Sequence, residues 1–253
     1  MSLLPVAAFA CEATPAPAPT RIDDNHKVFS KPRRPAPTAK RLPSPNRDAP
    51  EGREGTQLPK DELETLLAEV AGHLAADRKP EAQVALRRCA NKTPASIRCD
   101  GELGLILATT GQHKAESRYY LLEAGRVDDP EAAPELYDRV AGRLRRLGAY
   151  EECAAAQQIA IDREATAARH LARSVCLQSV RARLPEAVAE LETAFALDPA
   201  PGTMIDLATI LTQIPGKKDE GVTRLKKYAK EIKGNDPAID ALLTERIGAI
   251  SGL

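Results

Sequence analysis

Residues 181–199, RARLPEAVAELETAFALDP, carry the pattern that decides the fold. Ala187, Leu191 and Ala194 stand at i, i+4 and i+7, so they share one face of a predicted helix. The two alanines are small, so a neighbouring helix can approach closely. Pro199 ends the helix, because proline disfavours helical geometry in the residue before it. The stretch therefore predicts an amphipathic helix that packs tightly against a partner helix.

The same spacing of packing residues recurs along the chain. The series begin at Ala82, Ala115, Cys153, Ala187 and Gly221, which are 33, 38, 34 and 34 residues apart. A period of this length is typical of stacked helix pairs, because a single pair cannot bury its apolar face alone. The sequence therefore predicts a helical solenoid, which offers a scaffold and a surface without naming a ligand.

The third repeat carries the clearest family signature. Seven packing positions follow one another with uninterrupted spacing: Tyr137, Val140, Ala141, Leu144, Gly148, Tyr150 and Cys153. In this pattern the chain resembles tetratricopeptide repeat (TPR) proteins over about residues 60–250. The resemblance implies an all-α, right-handed solenoid of about five helix pairs with a C-terminal capping helix. Several turns depart from the family length and the Trp common near the repeat start is absent, so a related helix-pair solenoid is the alternative.

Helix periodicity and turn residues place the predicted pairs. The predicted ranges are 60–77 with 81–90, a helix after Pro94 with 113–124, 134–147 with 150–162, 166–182 with 185–197, and 203–213 with 218–233, followed by a capping helix at 237–250.

Composition divides the chain into three segments. Eleven of the 20 prolines lie at or before Pro59, whereas the rest is rich in Ala, Leu, Glu and Arg, a helical composition. We expect a signal-like segment at 1–11, a disordered, Pro-rich basic linker at 12–58 and a TPR-like domain at 59–253. With no Trp and only three Phe, the core is expected to consist of Leu, Ala, Val and Ile.

Residues 1–11, MSLLPVAAFAC, are apolar and end in a cysteine. Residues 8–10, AFA, form a small-x-small cleavage pattern, and before Cys11 this pattern resembles the lipobox of bacterial lipoproteins. The resemblance implies lipidation of Cys11, and Glu12 after it implies the outer membrane. Ala8 stands where Leu is usual and no basic residue precedes the apolar run. An N-terminus with an ordinary cysteine is therefore the alternative.

Residues 12–58 contain the runs PAPAP, KPRRPAP and RLPSP and almost no apolar residues to bury. We expect this linker to be disordered or locally polyproline II. Between Lys27 and Arg47 stand seven basic residues and no acidic one. A solubilising tether is the plainer interpretation, and contact of the basic stretch with anionic lipid or a polyanionic wall is the alternative.

Four cysteines remain besides Cys11. Cys89 and Cys99 are equidistant from one predicted turn, and Cys153 and Cys176 are nearly so from another. Residues equidistant from a turn between antiparallel helices lie side by side, so both pairs meet disulfide distance limits if their side chains face each other. Export would favour oxidation, which predicts Cys89–Cys99 and Cys153–Cys176 disulfides. Four free cysteines acting as small buried residues is the alternative.

The patterns that carry catalysis or cofactor binding are missing from the sequence. It has no phosphate-binding glycine loop, no H-E-x-x-H, no G-x-S-x-G and no G-x-G-x-x-G, so we predict neither catalytic nor cofactor-binding residues. It has no C-x-x-C and its four histidines are dispersed, so no metal site is predicted. Lys+Arg and Asp+Glu are 36 each, and the repeat domain is slightly acidic, which argues against nucleic-acid binding.

In TPR proteins the first helix of each pair lines a groove, and residues just off the packing positions point into it. The resemblance implies a partner-binding patch of arginines on or beside the first helices: Arg145, Arg146, Arg173 and Arg181, with Arg98 and His170 at the groove or its rim. Guanidinium groups match carboxylates in a bidentate way. The expected partner is therefore a protein or peptide with an acidic segment or a C-terminal carboxylate, and a solvated helix face is the alternative.

Together these features predict an exported, lipid-anchored TPR-like adaptor that mediates protein–protein interaction in an envelope assembly. We expect it in the bacterial periplasm, anchored to the outer membrane and making membrane contact through its lipid. The alternative is a soluble structural or regulatory TPR-like protein without a lipid anchor, in the cytoplasm. An enzyme would need a site outside all of the patterns above.

Overall fold

The computed structural model describes residues 58–93, 96–110 and 113–252. The predicted signal segment, Cys11 and the linker up to residue 57 lie outside the described residues. Within the described ranges the regular structure is helical, with no strand.

Five consecutive helix pairs and a terminal helix make up the described chain. The pairs are α1 (Lys60–Ala75) with α2 (Lys79–Lys92), α3 (Glu102–Thr110) with α4 (Lys114–Ala124), α5 (Pro134–Arg146) with α6 (Tyr150–Arg163), α7 (Ala167–Gln178) with α8 (Leu184–Leu197), and α9 (Pro201–Gln213) with α10 (Lys218–Ile232), and α11 (Pro237–Gly252) follows. A π-helical turn, Ile97–Gly101, leads into α3, and a 3-10 turn, Arg181–Arg183, leads into α8. The predicted all-α, TPR-like solenoid is confirmed.

Local sequence explains where the helices start and stop. The Thr166 side chain accepts a hydrogen bond from the backbone N–H of Arg169 at 3.3 Å and so caps the start of α7. Asp236 caps α11 in the same way, accepting from the N–H of Ala238 at 2.8 Å. After α5, Gly148 adopts a φ of +73°, the left-handed conformation that ends many helices and favours glycine.

The small-residue faces predicted from the sequence form the core. Ala187, Leu191 and Ala194 on α8 are fully buried, as are Ala82 and Leu86 on α2. Small side chains at these positions let the helices of one pair lie close together. The alanine-rich pattern therefore explains how a chain with few aromatic residues builds a packed interior.

The buried apolar residues fall into two clusters along the chain. The N-terminal cluster joins α1, α2, α3 and, through Tyr120, α4, with Leu66, Leu86 and Leu107 among its members. The C-terminal cluster runs from Ile97 through the later helices to Ile250 on α11. Each stacked repeat contacts mainly its neighbouring repeats, so the buried residues of a solenoid can form two clusters along the chain.

Charged side chains link successive repeats. Arg139 on α5 donates two hydrogen bonds to the Glu102 carboxylate on α3, at 2.7 and 2.8 Å. Other basic residues also pair with an acidic residue about one repeat away: Arg87 with Glu116, Arg98 with Glu64 and Asp129, Arg126 with Glu152, Arg163 with Asp128, Arg183 with Glu151, and Arg224 with Glu192. The surface therefore carries a series of inter-repeat ion pairs.

Arg163 and Tyr137 hold the connection between α4 and α5. The Tyr137 hydroxyl donates to the Val127 carbonyl at 2.9 Å and accepts from the Asp129 N–H at 2.8 Å. The Arg163 guanidinium lies 4.6 Å from the centre of the Tyr137 ring and donates to the Ala132 carbonyl. Burial raises the pKa of Tyr137.

The end of α7 differs from the sequence prediction. The predicted helix ran to Ala182, but α7 ends at Gln178, and Arg181 begins the separate 3-10 turn. Neither glycine nor proline marks this break, so the sequence offered no stop signal. On α7, Ser174, Cys176 and Leu177 are buried, while Ser179 just after the helix is exposed.

Candidate functional site

Two clefts flank the exposed face of α5. Asp138 and Gly142 line both of them, one cleft lying toward α7 and the other toward α3. An added Cβ on Gly142 would meet no atom within 4 Å, so the helix is open at this point. The first helices α3, α5 and α7 thus line one continuous stretch of surface, which we call the groove.

The cleft between α5 and α7 has a volume of about 270 Å³. Ala168, Ala172 and Val175, which stand at i, i+4 and i+7, form a small or apolar wall on α7, and Arg169 and Cys176 of the same helix also line the cleft. Arg145 lies at the end of α5, and Asp138 lies two turns nearer its start. The cleft therefore combines an apolar wall with charges of opposite sign along α5.

The cleft between α5 and α3 is larger, at about 510 Å³. Leu105, Ile106 and Thr109 line it from α3. Arg146 lies at its α5 edge. This second cleft extends the apolar floor of the groove beyond α5, and it also has a cationic end.

Four arginines of α5 face or border the groove, and two of them are already engaged. Arg139 pairs with Glu102, and Arg143 donates to the Ala108 carbonyl at 3.0 Å. Among the residues that the structure describes, Arg145 and Arg146 form no ion pair, and both are exposed. These two guanidinium groups are therefore available to a ligand.

The opposite end of the α5–α7 cleft is acidic. Arg169, whose side chain is 8% exposed, contacts three carboxylates, those of Glu135 at 3.2 Å, Asp138 at 3.0 Å and Glu164 at 2.6 Å. Burial alone would lower the pKa of Arg169, but its hydrogen bonds to Glu164 and Asp138 outweigh this effect and the pKa is raised. Asp138 and Arg169 line the cleft, and the Glu135 and Glu164 carboxylates add negative charge beside it.

Two oxygen atoms in this cleft lack hydrogen bonds. Gln157 on α6 is 3% exposed, and its side-chain Oε1 has no partner within the described chain. The Asp138 Oδ1 is likewise buried without a partner there, although its Oδ2 accepts from Arg169. Buried polar atoms are usually satisfied, so two unused acceptors in one cleft are unusual.

The structure brings only part of the predicted arginine patch together. Arg145 and Arg146 lie at the groove as expected. Arg173 turns to the other side of α7, where its guanidinium pairs with Glu190 of α8, and it is largely buried. Arg181 lies in the 3-10 turn and lines neither cleft. Arg181 therefore does not join Arg145 in the patch as expected, because α7 ends before Arg181.

The two rim residues also have partners within the fold. Arg98 contacts Glu64 at 2.6 Å and Asp129 at 2.8 Å. The His170 Nδ1 lies 2.7 Å from the Glu190 carboxylate. Sequence reasoning placed Arg98 and His170 near the patch, but their contacts serve packing between elements. It missed Gln157 and Asp138, and the polar Gln157 within a packing series was the only available signal.

The cysteines are brought together as predicted. Cys89 and Cys99 are joined with their Cα atoms 5.6 Å apart, and Cys153 and Cys176 are joined with theirs 5.8 Å apart. The second disulfide links α6 to α7 and lines the α5–α7 cleft. It therefore fixes the rotation of α7 that directs Val175 into the groove and Arg173 away from it.

The described residues also bear on membrane insertion and metal binding. Across residues 58–93, 96–110 and 113–252, no helix has both the length and the apolar character needed to cross a bilayer. In the same ranges no three His, Cys, Asp or Glu side chains come together as a set of metal ligands.

Comparison with known proteins gives similarity in structure. No family model matches the chain, and no curated protein matches it in sequence. The solved structure of MamA from strain AMB-1 is 16% identical, with a TM-score of 0.49 over 72% of this chain and 97% of that one. A thermophilic TPR protein of Thermus thermophilus is 18% identical, with a TM-score of 0.36 over 76% of this chain and 100% of that one. PilF of Pseudomonas aeruginosa is 18% identical, with a TM-score of 0.40 over 76% and 86%. The TPR-like architecture itself follows from the helix pairs of this chain.

Proposed function

We propose that this protein is an adaptor that binds a peptide segment of another protein in the groove. The observation that carries the proposal is that Arg145 and Arg146, which form no ion pair within the described part of the chain, lie at the end of a groove with an apolar floor. Each guanidinium offers a planar set of N–H donors that suits a carboxylate. The expected ligand is an acidic segment or a C-terminal carboxylate in an extended peptide.

Like-charge repulsion supports a carboxylate ligand. Arg145 and Arg146 are adjacent in sequence, and Arg143 lies in the same turn of α5. Arg143 and Arg146 are three residues apart, so they share one face of the helix, and both line the α5–α3 cleft. Like charges at this spacing repel one another, and a bound carboxylate relieves that repulsion. The helix dipole favours cations at this end of α5 but does not require three of them.

A photo-crosslinking side chain at position 142 tests the proposal in intact cells. We expect crosslinks to an acidic or C-terminal peptide, identified by mass spectrometry, because Gly142 lines both clefts. Charge reversal in Arg145→Glu and Arg146→Glu should remove the crosslink. Arg118→Glu, at an exposed arginine of α4 away from both clefts, is the matched control. Crosslinking that persists unchanged after reversal of both charges would show that the arginines are only a solvated face.

We further propose that the adaptor is exported and anchored in the outer membrane through lipid on Cys11, as part of an envelope assembly. The lipobox-like residues 8–11 and the proline-rich linker support this proposal. Labelling cells with a fatty-acid analogue should mark the wild type and not the Cys11→Ala variant. Label that remains in the variant, or none in the wild type, would favour the protein without an anchor.

A further inference from the structure

We infer that the α5–α7 cleft binds a basic side chain, a lysine or arginine, of the same partner peptide whose carboxylate meets Arg145. This inference rests on the proposed function and specifies the partner's second charge. The cleft volume of about 270 Å³ lies just below the roughly 300–1,000 Å³ typical of small-molecule sites, so it suits a single side chain.

The unused acceptors specify a ligand that donates hydrogen bonds. Gln157 Oε1 and Asp138 Oδ1 are both buried, both belong to residues that line the cleft, and neither has a partner within the described residues. A buried acceptor without a hydrogen bond costs about 1–3 kcal/mol. A lysine ammonium carries three donors and an arginine guanidinium five, so one such group has enough donors for both oxygens.

The surrounding charge selects a cation among possible donors. Glu135, Asp138 and Glu164 place three carboxylates around the single guanidinium of Arg169; of these Asp138 lines the cleft, whereas Glu135 and Glu164 lie beside it and are mostly exposed. Asp138 is partly buried, so solvent weakens its attraction for a cation less than that of an exposed carboxylate. An anionic group entering this end would be repelled.

The spacing of the two ends sets the partner sequence. Asp138 and Arg145 are seven residues apart on α5, which corresponds to about 10.5 Å along a helix. An extended peptide covers that distance in about three residues. The expected partner segment therefore has a basic residue about three positions from an acidic residue or a terminal carboxylate.

Blocked tetrapeptides test this inference directly. We would compare acetyl-Lys-Ala-Ala-Glu-amide with acetyl-Leu-Ala-Ala-Glu-amide by NMR chemical-shift titration up to millimolar concentrations. We expect the lysine peptide to bind the wild type about tenfold more tightly, because a hydrogen-bonded charge is worth somewhat more than one factor of ten.

Two variants separate the basic site from folding. Asp138→Asn keeps the shape of the side chain but removes its charge, and Gln157→Met keeps approximate volume but removes the acceptor. Both should lose most of the lysine preference while still binding the leucine peptide. Gln157→Met should also melt no lower than wild type, because an unsatisfied buried acceptor has been replaced by an apolar group.

The outcomes distinguish this inference from the proposed function. A lysine preference retained in both variants would overturn the inference. Equal binding of both peptides to the wild type, lost in Arg145→Glu, would overturn it while leaving the proposed function in place. If lysine-selective binding kept the same affinity in Arg145→Glu and Arg146→Glu, the site for the basic side chain would be supported and the proposed role of the two arginines would be contradicted. Absence of any groove shifts with either peptide would overturn both.

Discussion

Gly221 on α10 lies where no larger residue fits. A Cβ at this position would stand 2.7 Å from the Ala208 carbonyl oxygen and 3.1 Å from the Leu211 Cβ, so α9 and α10 could not stay at their present distance. We expect Gly221→Ala to lower the free energy of unfolding by about 1–3 kcal/mol. Gly142→Ala is the matched control, with open space around its Cβ, and should stabilise by up to about 1 kcal/mol. Urea unfolding of both variants measures the difference, and equal effects would contradict the close approach.

The buried hydroxyl of Tyr137 predicts a loss of stability at alkaline pH. Burial raises the pKa of Tyr137 in the folded protein, so the unfolded chain releases this proton first as the pH rises. The contribution of Tyr137 is therefore complete below its unfolded pKa of about 10 and is lost as the pH climbs from there toward the folded pKa. Plots of the free energy of unfolding against pH for the wild type and Tyr137→Phe should differ in slope only above about pH 10, the unfolded pKa. Parallel curves would contradict the prediction.

At the scale of single residues, the sequence predicted packing positions better than functional ones. Val140, Ala141 and Leu144 are buried as their spacing indicated. Arg173 was assigned to the groove, yet the Glu190 carboxylate on α8 holds it on the other side. Burial follows from local periodicity, whereas the direction of an arginine depends on a partner distant in the chain.

The two disulfides act on pairs of elements. Cys153–Cys176 closes a separation of 23 residues and Cys89–Cys99 one of 10, so loop-closure entropy predicts about 3 kcal/mol from each. We expect a reductant to lower the melting temperature by about 6–12 °C per bond, given the domain size. A variant with alanine at all four positions should already melt low and should not respond to the reductant.

Non-reduced peptide mapping of the wild type checks which cysteines pair. Four alkylatable thiols, or a Cys99–Cys153 linkage, would contradict the pairing. If the melting temperature of a fully oxidised sample did not change when reductant was added, the predicted stabilisation would be contradicted.

At the scale of elements, helix existence followed from the sequence and one helix end did not. The helix predicted to begin at Thr166 ends at Gln178. A 3-10 turn follows it, and Pro185 lies in the first turn of α8 after that. That early end moved Arg181 out of the groove. Of the predicted patch, Arg145 and Arg146 lie at the groove, and their role in binding a partner stays a prediction.

The two buried clusters predict uneven stability across the whole molecule. The N-terminal cluster has fewer members than the C-terminal one, and repeat arrays derive stability from neighbouring interfaces. We expect amides of α1 and α2 to exchange with deuterium through a lower-energy opening than amides of α5 to α8. Native-state hydrogen exchange measures both, and a single opening energy throughout would show one cooperative unit.

The inter-repeat ion pairs limit how this solenoid can change in length. Glu102 and Arg139 occupy equivalent positions, since each directly precedes a buried series, Leu103–Leu107 in one repeat and Val140–Leu144 in the next. If α5 and α6 were duplicated in tandem, the Arg139 of the second copy would face the Arg139 of the first copy. The first copy has an arginine at the position equivalent to Glu102, which now accepts two hydrogen bonds from Arg139. Charge thus gives each repeat a fixed neighbour, and duplication of one repeat would require a compensating change of sign.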